Sequence, residues 1–389
     1  MGAINEIFRE FAPEYLLRFG GTMPEEHKKV ISAILLCRTK ENGTVVYECE
    51  ECGLLHLTER SCGNRHCPQC QNHKANLWLE RQLGRMMPGH HFMVTFTVPA
   101  ELRDFIRSHQ RVCYAALFAA SSDAMKKLCQ DPKYIGGDRP GFFGVLHTWG
   151  RQLQYHPHIH YVVPGGAFSS VSGCWQRSGE RFFLPVQALS PIFRAKFRDR
   201  MKKAGLLAEI PKEVWTKSWN INSQAVGSSE ASIKYLAPYV FRVAISNHRI
   251  VKVENGKVTF TYRKVGDTKP CVMELDAMEF IRRFLQHVLP SGFMKVRYYG
   301  FLSPNSAISL DEARGKIEIT YGFEVTEPER EAKPKAEFKC NTCGNPVRYI
   351  FSPRRCLHQG NTLWSRSPGL FHHPHCLQSH IHYQNHPPQ

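Results

Sequence analysis

The chain has 389 residues and carries 51 Lys and Arg against 34 Asp and Glu, a formal charge of +17 at pH 7. One core rarely serves so long a chain, so two or three domains are expected, and the charge points to a polyanionic partner, nucleic acid first. No run of eighteen or more apolar residues occurs, and MGAINEIFREF at the N-terminus has acids where a secretory signal is basic and then apolar, so the expectation is a cytoplasmic protein that does not enter the membrane.

The fourteen cysteines cluster in CxxC pairs with no secretory signal, which predicts zinc in a reducing compartment and not disulfides. Between residues 37 and 73, Cys49, Cys52, Cys67 and Cys70 form CxxC, fourteen residues, CxxC. That spacing predicts one closed, tetrahedral, structural Zn²⁺ site held by these four thiolates. Cys37, Cys62, His66 and His73 remain and either build a second centre or hydrogen-bond around the first. The nearby Arg60, Arg65, Lys74, Arg81 and Arg85 are DNA contacts or merely solvated. Leu77, Trp78, Leu79 and Leu83 are spaced for a helix that packs onto the next domain.

From Phe92 the pattern changes. FMVTFTV reads as a strand, Glu101 to Cys129 as a long helix, and GFFGVLHTWG (141–150) as a second strand. YHPHIHYVVPGG (155–166) follows too closely for a helical crossover, so the two strands are expected to be antiparallel neighbours. Alternation along it puts His156, His158 and His160 on one face and Ile159, Tyr161 and Val163 on the other. Neutral imidazoles converging there suit a divalent cation; the alternative is a polar strand face, each ring bonded to something ordinary.

SPIFRAKFRDRMKKAG reads as a helix with Ser190 as N-cap, Pro191 first and Gly205 as the stop, its basic face (Arg194, Lys196, Arg198, Arg200, Lys202, Lys203) tracking phosphates or simply solvated. In SSEASIKYLAPYVFRVAIS (228–246), Tyr235 and Tyr239 share one helical face, with Pro238 bending the helix between them. IVKVENGKVTFTY is a hairpin turning at Asn255 and Gly256. This order of elements indicates an α+β fold with a largely antiparallel sheet.

Towards the C-terminus, EPEREAKPKAEF reads as a charged linker. Cys340 and Cys343 then need partners, for which Cys356 and His358 are candidates in a second zinc ribbon, and the histidine-rich tail is expected to be disordered. The expected divisions are a zinc-binding domain over 1–88, a nuclease domain over 89–303, and a linker, ribbon and tail over 304–389.

A histidine strand, a tyrosine helix, zinc modules and a basic chain together match phosphoryl transfer to tyrosine. A phenol with a pKa near 10 is about 0.1% ionised at neutral pH, so a cation must polarise the phosphate. Mg²⁺ or Mn²⁺ does this, imidazole being an acceptable ligand for Mn²⁺ and an unusual one for Mg²⁺.

SCGNRHCPQC, LHTWGRQLQYHPHIHYVVPGG and KYLAPYVFRVAISNHRI together resemble the rolling-circle transposases of the insertion sequence ninety-one type, in the histidine-hydrophobe-histidine endonuclease superfamily. The resemblance spans nearly the whole chain. It implies a ferredoxin-like antiparallel sheet flanked by zinc-binding modules, His158 and His160 as ligands of the catalytic metal, and Tyr235 and Tyr239 as paired nucleophiles. It also implies cleavage of single-stranded DNA at transposon ends. His156 and His147 match family residues too, either of them a possible third ligand. The competing readings are a plasmid relaxase or replication initiator of the same superfamily, and a non-catalytic zinc-ribbon DNA-binding protein.

Overall fold

The structure, a computed structural model, describes residues 2–227, 233–234, 244–264, 266–267, 269–323, 338–352, 354–358 and 361–365. The chain divides into two compact units. The first contains helices α1 (Ala3–Phe19) and α2 (Glu25–Leu36), and then nearly everything from Cys62 onward up to the charged linker. The second joins a hairpin, β1 (Thr44–Cys49) and β2 (Leu55–Glu59), to the C-terminal segment.

In the first unit the chain runs through α3 (Gln71–Leu83), β3 (His91–Thr97), α4 (Arg103–Ser108), α5 (Gln110–Cys129), β4 (Phe142–Trp149) and β5 (Tyr155–Pro164). A short hairpin, β6 (Gly166–Phe168) and β7 (Trp175–Arg177), precedes α6 (Val186–Lys203) and β8 (Ile221–Gly227). After β9 (Ile250–Glu254), β10 (Lys257–Arg263) and β11 (Pro270–Asp276) come α7 (Ala277–Leu285), β12 (Val296–Tyr299) and α8 (Leu310–Thr320).

The principal sheet has the order β12-β4-β5-β3-β8, every neighbouring pair antiparallel. Taken as β3–α5–β4–β5–α6–β8, the chain is a βαββαβ unit whose fourth, first, third and second strands lie side by side, the ferredoxin-like arrangement, with β12 added at one edge. β5 is therefore central.

Period-two alternation decides what each face buries. Phe92, Val94 and Phe96 of β3 and Ile159, Tyr161 and Val163 of β5 join one core with Phe118 of α5 and Phe193 and Phe197 of α6. Each such side chain contributes about 1.5–3 kcal/mol when fully buried. Gly144 on β4 is required here, since a Cβ would come within 2.4 Å of the Tyr161 ring. On the opposite face, Phe143, Val145 and Val162 lie under Trp78 of α3, Met86, Met87, Phe301 and Ile317 of α8. The helix expected around Trp78 thus packs onto the sheet.

Two local expectations differ from the structure. The helix expected to begin at Ser190 begins at Val186, and Pro191 lies inside it. Ser190 does not cap it, because its hydroxyl donates to Trp219 O at 2.7 Å and accepts from Trp219 N at 3.1 Å, a tertiary pairing in the core. The long helix after β3 is broken at His109, whose φ of −119° and ψ of 40° separate α4 from α5. The stop at Gly205 (φ 72°) and the turn at Asn255 and Gly256 (φ 53° and 72°) stand as expected.

The second unit has the sheet order β13-β1-β2, with β13 (Val347–Phe351) antiparallel to β1, and a separate hairpin of β14 (Arg354–His358) and β15 (Asn361–Ser365). Phe338 sets its ring edge-on to Tyr47, centroids 5.1 Å apart. Among the described residues no helix is long and apolar enough to cross a membrane.

Candidate metal centres

The register of β4 against β5 places His147 directly across from His158, with Val145 opposite His160. His147, His158 and His160 consequently form one group whose ligand nitrogens all lie within 4.8 Å of one another. Cross-strand pairing brings side chains this close without any local sequence signal. The ring centroids of His147 and His160 are 4.6 Å apart, those of His158 and His160 4.8 Å. Trp149 stacks on His147 at 5.1 Å and holds its plane.

Each ring of β5 is oriented through Nδ1. His158 Nδ1 lies 2.7 Å from the His156 carbonyl oxygen, which only accepts, so Nδ1 carries the hydrogen and Nε2 keeps its lone pair. His160 Nδ1 is 2.8 Å from Thr95 Oγ1, and donation to that hydroxyl leaves its Nε2 in the same form. This is the usual outer support of metal-bound imidazole. His156 is engaged elsewhere, since its Nδ1 accepts from Arg103 Nη2 at 2.9 Å, and it stands outside the group.

Burial, then the neighbouring rings, pushes the His147 and His158 pKa values well below the ordinary 6.5. Burial also takes His160 down to about 4. All three are neutral at pH 7. Among the described residues no carboxylate joins the group. Three neutral nitrogens with no fixed negative charge form a donor set suited to Mn²⁺ and to Zn²⁺, and less so to Mg²⁺. Of the two residues left open from sequence as a third ligand, His147 is the third member of the group, and His156 is not. Tyr235 and Tyr239 lie outside the described residues.

The thiols are grouped differently from the sequence expectation. Cys49 and Cys52 meet Cys340 and Cys343 in one group, while Cys67 and Cys70 fall with Cys62 in another. In the first of these, Cys49 Sγ is 3.3 Å from Cys343 Sγ, and Cys52 Sγ is 3.7 Å from Cys340 Sγ. The C-terminal pair therefore needs no ligand from Cys356 or His358, whose side chains lie outside the described residues.

The two pairs that meet share one backbone form. In CEECG the Cys49 N–H donates to Leu54 O and Gly53 N–H to Cys49 O; in CNTCG the Cys340 N–H donates to Asn345 O and Gly344 N–H to Cys340 O. Both glycines take positive φ (65° and 73°), where a side chain is strained. The backbone N–H of Cys343 holds the Cys340 thiol down to about 5, and that of Cys52 lowers Cys49. CPQC lacks this glycine and runs on into α3, with Cys70 at the N-cap. That difference was visible in the sequence and separates the pairs. Cys62 Sγ and Cys70 Sγ lie 3.5 Å apart. His66 stands outside these groups: its Nε2 accepts from Leu289 N at 3.4 Å, and burial lowers its pKa to about 3. The His73 side chain lies outside the described residues.

Two family models match the chain: one described as "Putative transposase" over residues 141–308, and one described as a transposase zinc-binding domain over residues 7–98. The first spans β4, β5 and the segment through β12; the second spans Cys37 through Cys70. "Putative transposase y4qJ" of Sinorhizobium fredii is 36% identical over 323 residues, covering 77% of this chain and 80% of that protein. The transposase for insertion sequence element IS801 of Pseudomonas savastanoi pv. phaseolicola is 27% identical over 312 residues, covering 74% and 73%. No solved structure matches the chain.

Proposed function

The chain belongs to the IS91-type transposases, enzymes that act on DNA, and from that premise we propose that it cuts and rejoins single-stranded DNA at transposon ends through 5′-phosphotyrosine intermediates, in a rolling-circle mode. The observation that carries this reading is the His147, His158 and His160 group on the central strands of a ferredoxin-like sheet. Ile233, two residues before Tyr235, supports it by packing in the cluster that contains Val162 and Val145, on the face where His160 also stands.

The roles follow from the chemistry. His147, His158 and His160 would hold Mn²⁺ or Mg²⁺, and a cation there polarises the scissile phosphate and offsets charge on its oxygens. Tyr235 or Tyr239 attacks phosphorus through its phenolic oxygen, losing its proton. The bond from phosphorus to the 3′ oxygen breaks, and that oxygen leaves as a 3′-hydroxyl. The phosphotyrosine ester conserves the bond, so rejoining by a 3′-hydroxyl needs no nucleotide cofactor. Two tyrosines permit two such exchanges. The thiol groups, closed and all-sulfur, would hold structural Zn²⁺ and take no part in the reaction.

The test is capture of a covalent protein–DNA adduct on a labelled single-stranded oligonucleotide bearing an element end. Adduct should form with Mn²⁺, disappear with EDTA, and be lost in Tyr235→Phe combined with Tyr239→Phe. Normal adduct from the double variant would overturn the assignment of nucleophiles.

A further inference from the structure

β12 is an edge strand, paired on one side to β4 and to no strand on the other among the described residues. A groove of about 870 Å³ follows that edge, between it and α5. Three cations line it: Arg111 and Lys126 from α5, and Arg297 from β12. Among the described residues none is held by a carboxylate. Lys126 Nζ stands 5.4 Å from the centroid of the Tyr299 ring, the Arg297 guanidinium lies 4.5 Å from that of Phe118, and Arg111 donates to Ser291 O at 2.6 Å. Asp123, the acid in the lining among the described residues, is occupied by Arg200 at 2.7 Å. The groove thus holds fixed positive charge with no internal anion to balance it.

Its position gives the charge a direction. Leu146 N donates to Lys295 O at 3.0 Å, continuing the β4 and β12 ladder, so Met294 at the sheet edge comes level with His147, whose side chain stands on the face away from α5. Met294 is 68% exposed at that end and offers an apolar surface to a base. Cations tracking a backbone beside apolar and aromatic side chains are what a single strand of nucleic acid requires.

We infer that this groove carries single-stranded DNA along the α5 side of the β12 edge, around which the strand passes to the imidazole group, its phosphates against Arg111, Lys126 and Arg297. The inference rests on the proposed function for the nature of the substrate. The rings hold Lys126 and Arg297 and the Ser291 carbonyl holds Arg111, so less side-chain freedom is lost when the strand binds.

The test is fluorescence anisotropy of the full chain with labelled oligothymidylate of about twenty nucleotides, titrated across salt concentrations. Arg111→Glu with Lys126→Glu should raise Kd by roughly tenfold or more and reduce the log–log salt slope by about 1.4, about 0.7 per lost phosphate contact. Lys126→Gln alone should give a smaller change of the same sign, and serves if the double variant folds poorly. Lys252→Glu with Lys257→Glu, an equal charge change on the exposed β9 and β10 hairpin, should bind as wild type does. Equal loss in that control, no loss in the groove variants, or tighter wild-type binding to duplex of the same length would overturn the groove assignment. Wild-type protein that binds no single strand at all would instead count against the proposed function.

Discussion

The imidazole group of the first unit and the thiol group of the second differ in how their ligands are brought together. His158 and His160 are two residues apart on β5, and His147 is the ladder partner of His158 on β4, so hydrogen bonds of the sheet set the geometry before any ion arrives. Cys49 and Cys343 lie 294 positions apart. Closing so long a loop costs entropy, and four thiols at under 5 Å repel as thiolates unless a cation sits between them. The lesson is that the first group is built by the sheet alone, whereas a metal in the second would help to build it.

The largest effect that would break this contrast comes from the thiols. Cys340→Ser with Cys343→Ser should remove one equivalent of zinc by elemental analysis and expose the amides of β1 and β2 to hydrogen exchange, because structural zinc contributes on the order of 10–16 kcal/mol to such modules. The β3 to β5 ladder should stay protected. Unchanged zinc content would refute the regrouping of the cysteines.

Next in size, His158→Ala with His160→Ala should lower adduct formation by about 10³-fold or more while leaving zinc content and melting temperature near wild type, since a Lewis acid supplies several kcal/mol to the reaction and little to this fold. A large fall in melting temperature would show instead that the ion builds this site too.

Acid should separate the units in another way. Burial lowers the pKa of His91 to about 4 and of His287 to about 3. Their folded values lie below the unfolded 6.5, so the unfolded chain takes up protons that the folded chain refuses. The stability of the first unit should therefore fall as pH drops from about 6.5 towards 4, by about 1.4 kcal/mol per pH unit for each histidine. Urea unfolding followed through core tryptophan fluorescence at several pH values measures this; a flat profile would contradict it.

The smallest effects sharpen the ligand set. His147→Ala should weaken Mn²⁺ binding by about 10–100-fold and His156→Ala by less than about threefold, read by titration calorimetry. Thr95→Val, which removes the acceptor at His160 Nδ1, should cost up to about tenfold. Equal loss from His147→Ala and His156→Ala would restore His156 as a ligand.

Much of the first unit was legible from the chain alone. The strands at FMVTFTV and GFFGVLHTWG follow from their apolar and aromatic runs, the antiparallel pairing of GFFGVLHTWG with YHPHIHYVVPGG from the short connection between them, and the shared face of His158 and His160 from period-two alternation, all local properties of the chain. The same local logic marked every CxxC pair as a candidate ligand. It did not place Ser190, because a hydroxyl suited to a cap was claimed by Trp219 twenty-nine residues away. Nor did it pair the cysteines, since proximity along the chain favoured Cys49 and Cys52 with Cys67 and Cys70.

Sequence by itself therefore determined which residues can bind and which face they occupy, since alternation and tight turns are fixed within a few residues of backbone. Only tertiary structure decided the company each keeps. His147 became the third imidazole through the register of β4 on β5, which their expected pairing left open, and Cys340 and Cys343 joined Cys49 and Cys52 through β13 pairing with β1, a contact between segments far apart in the chain.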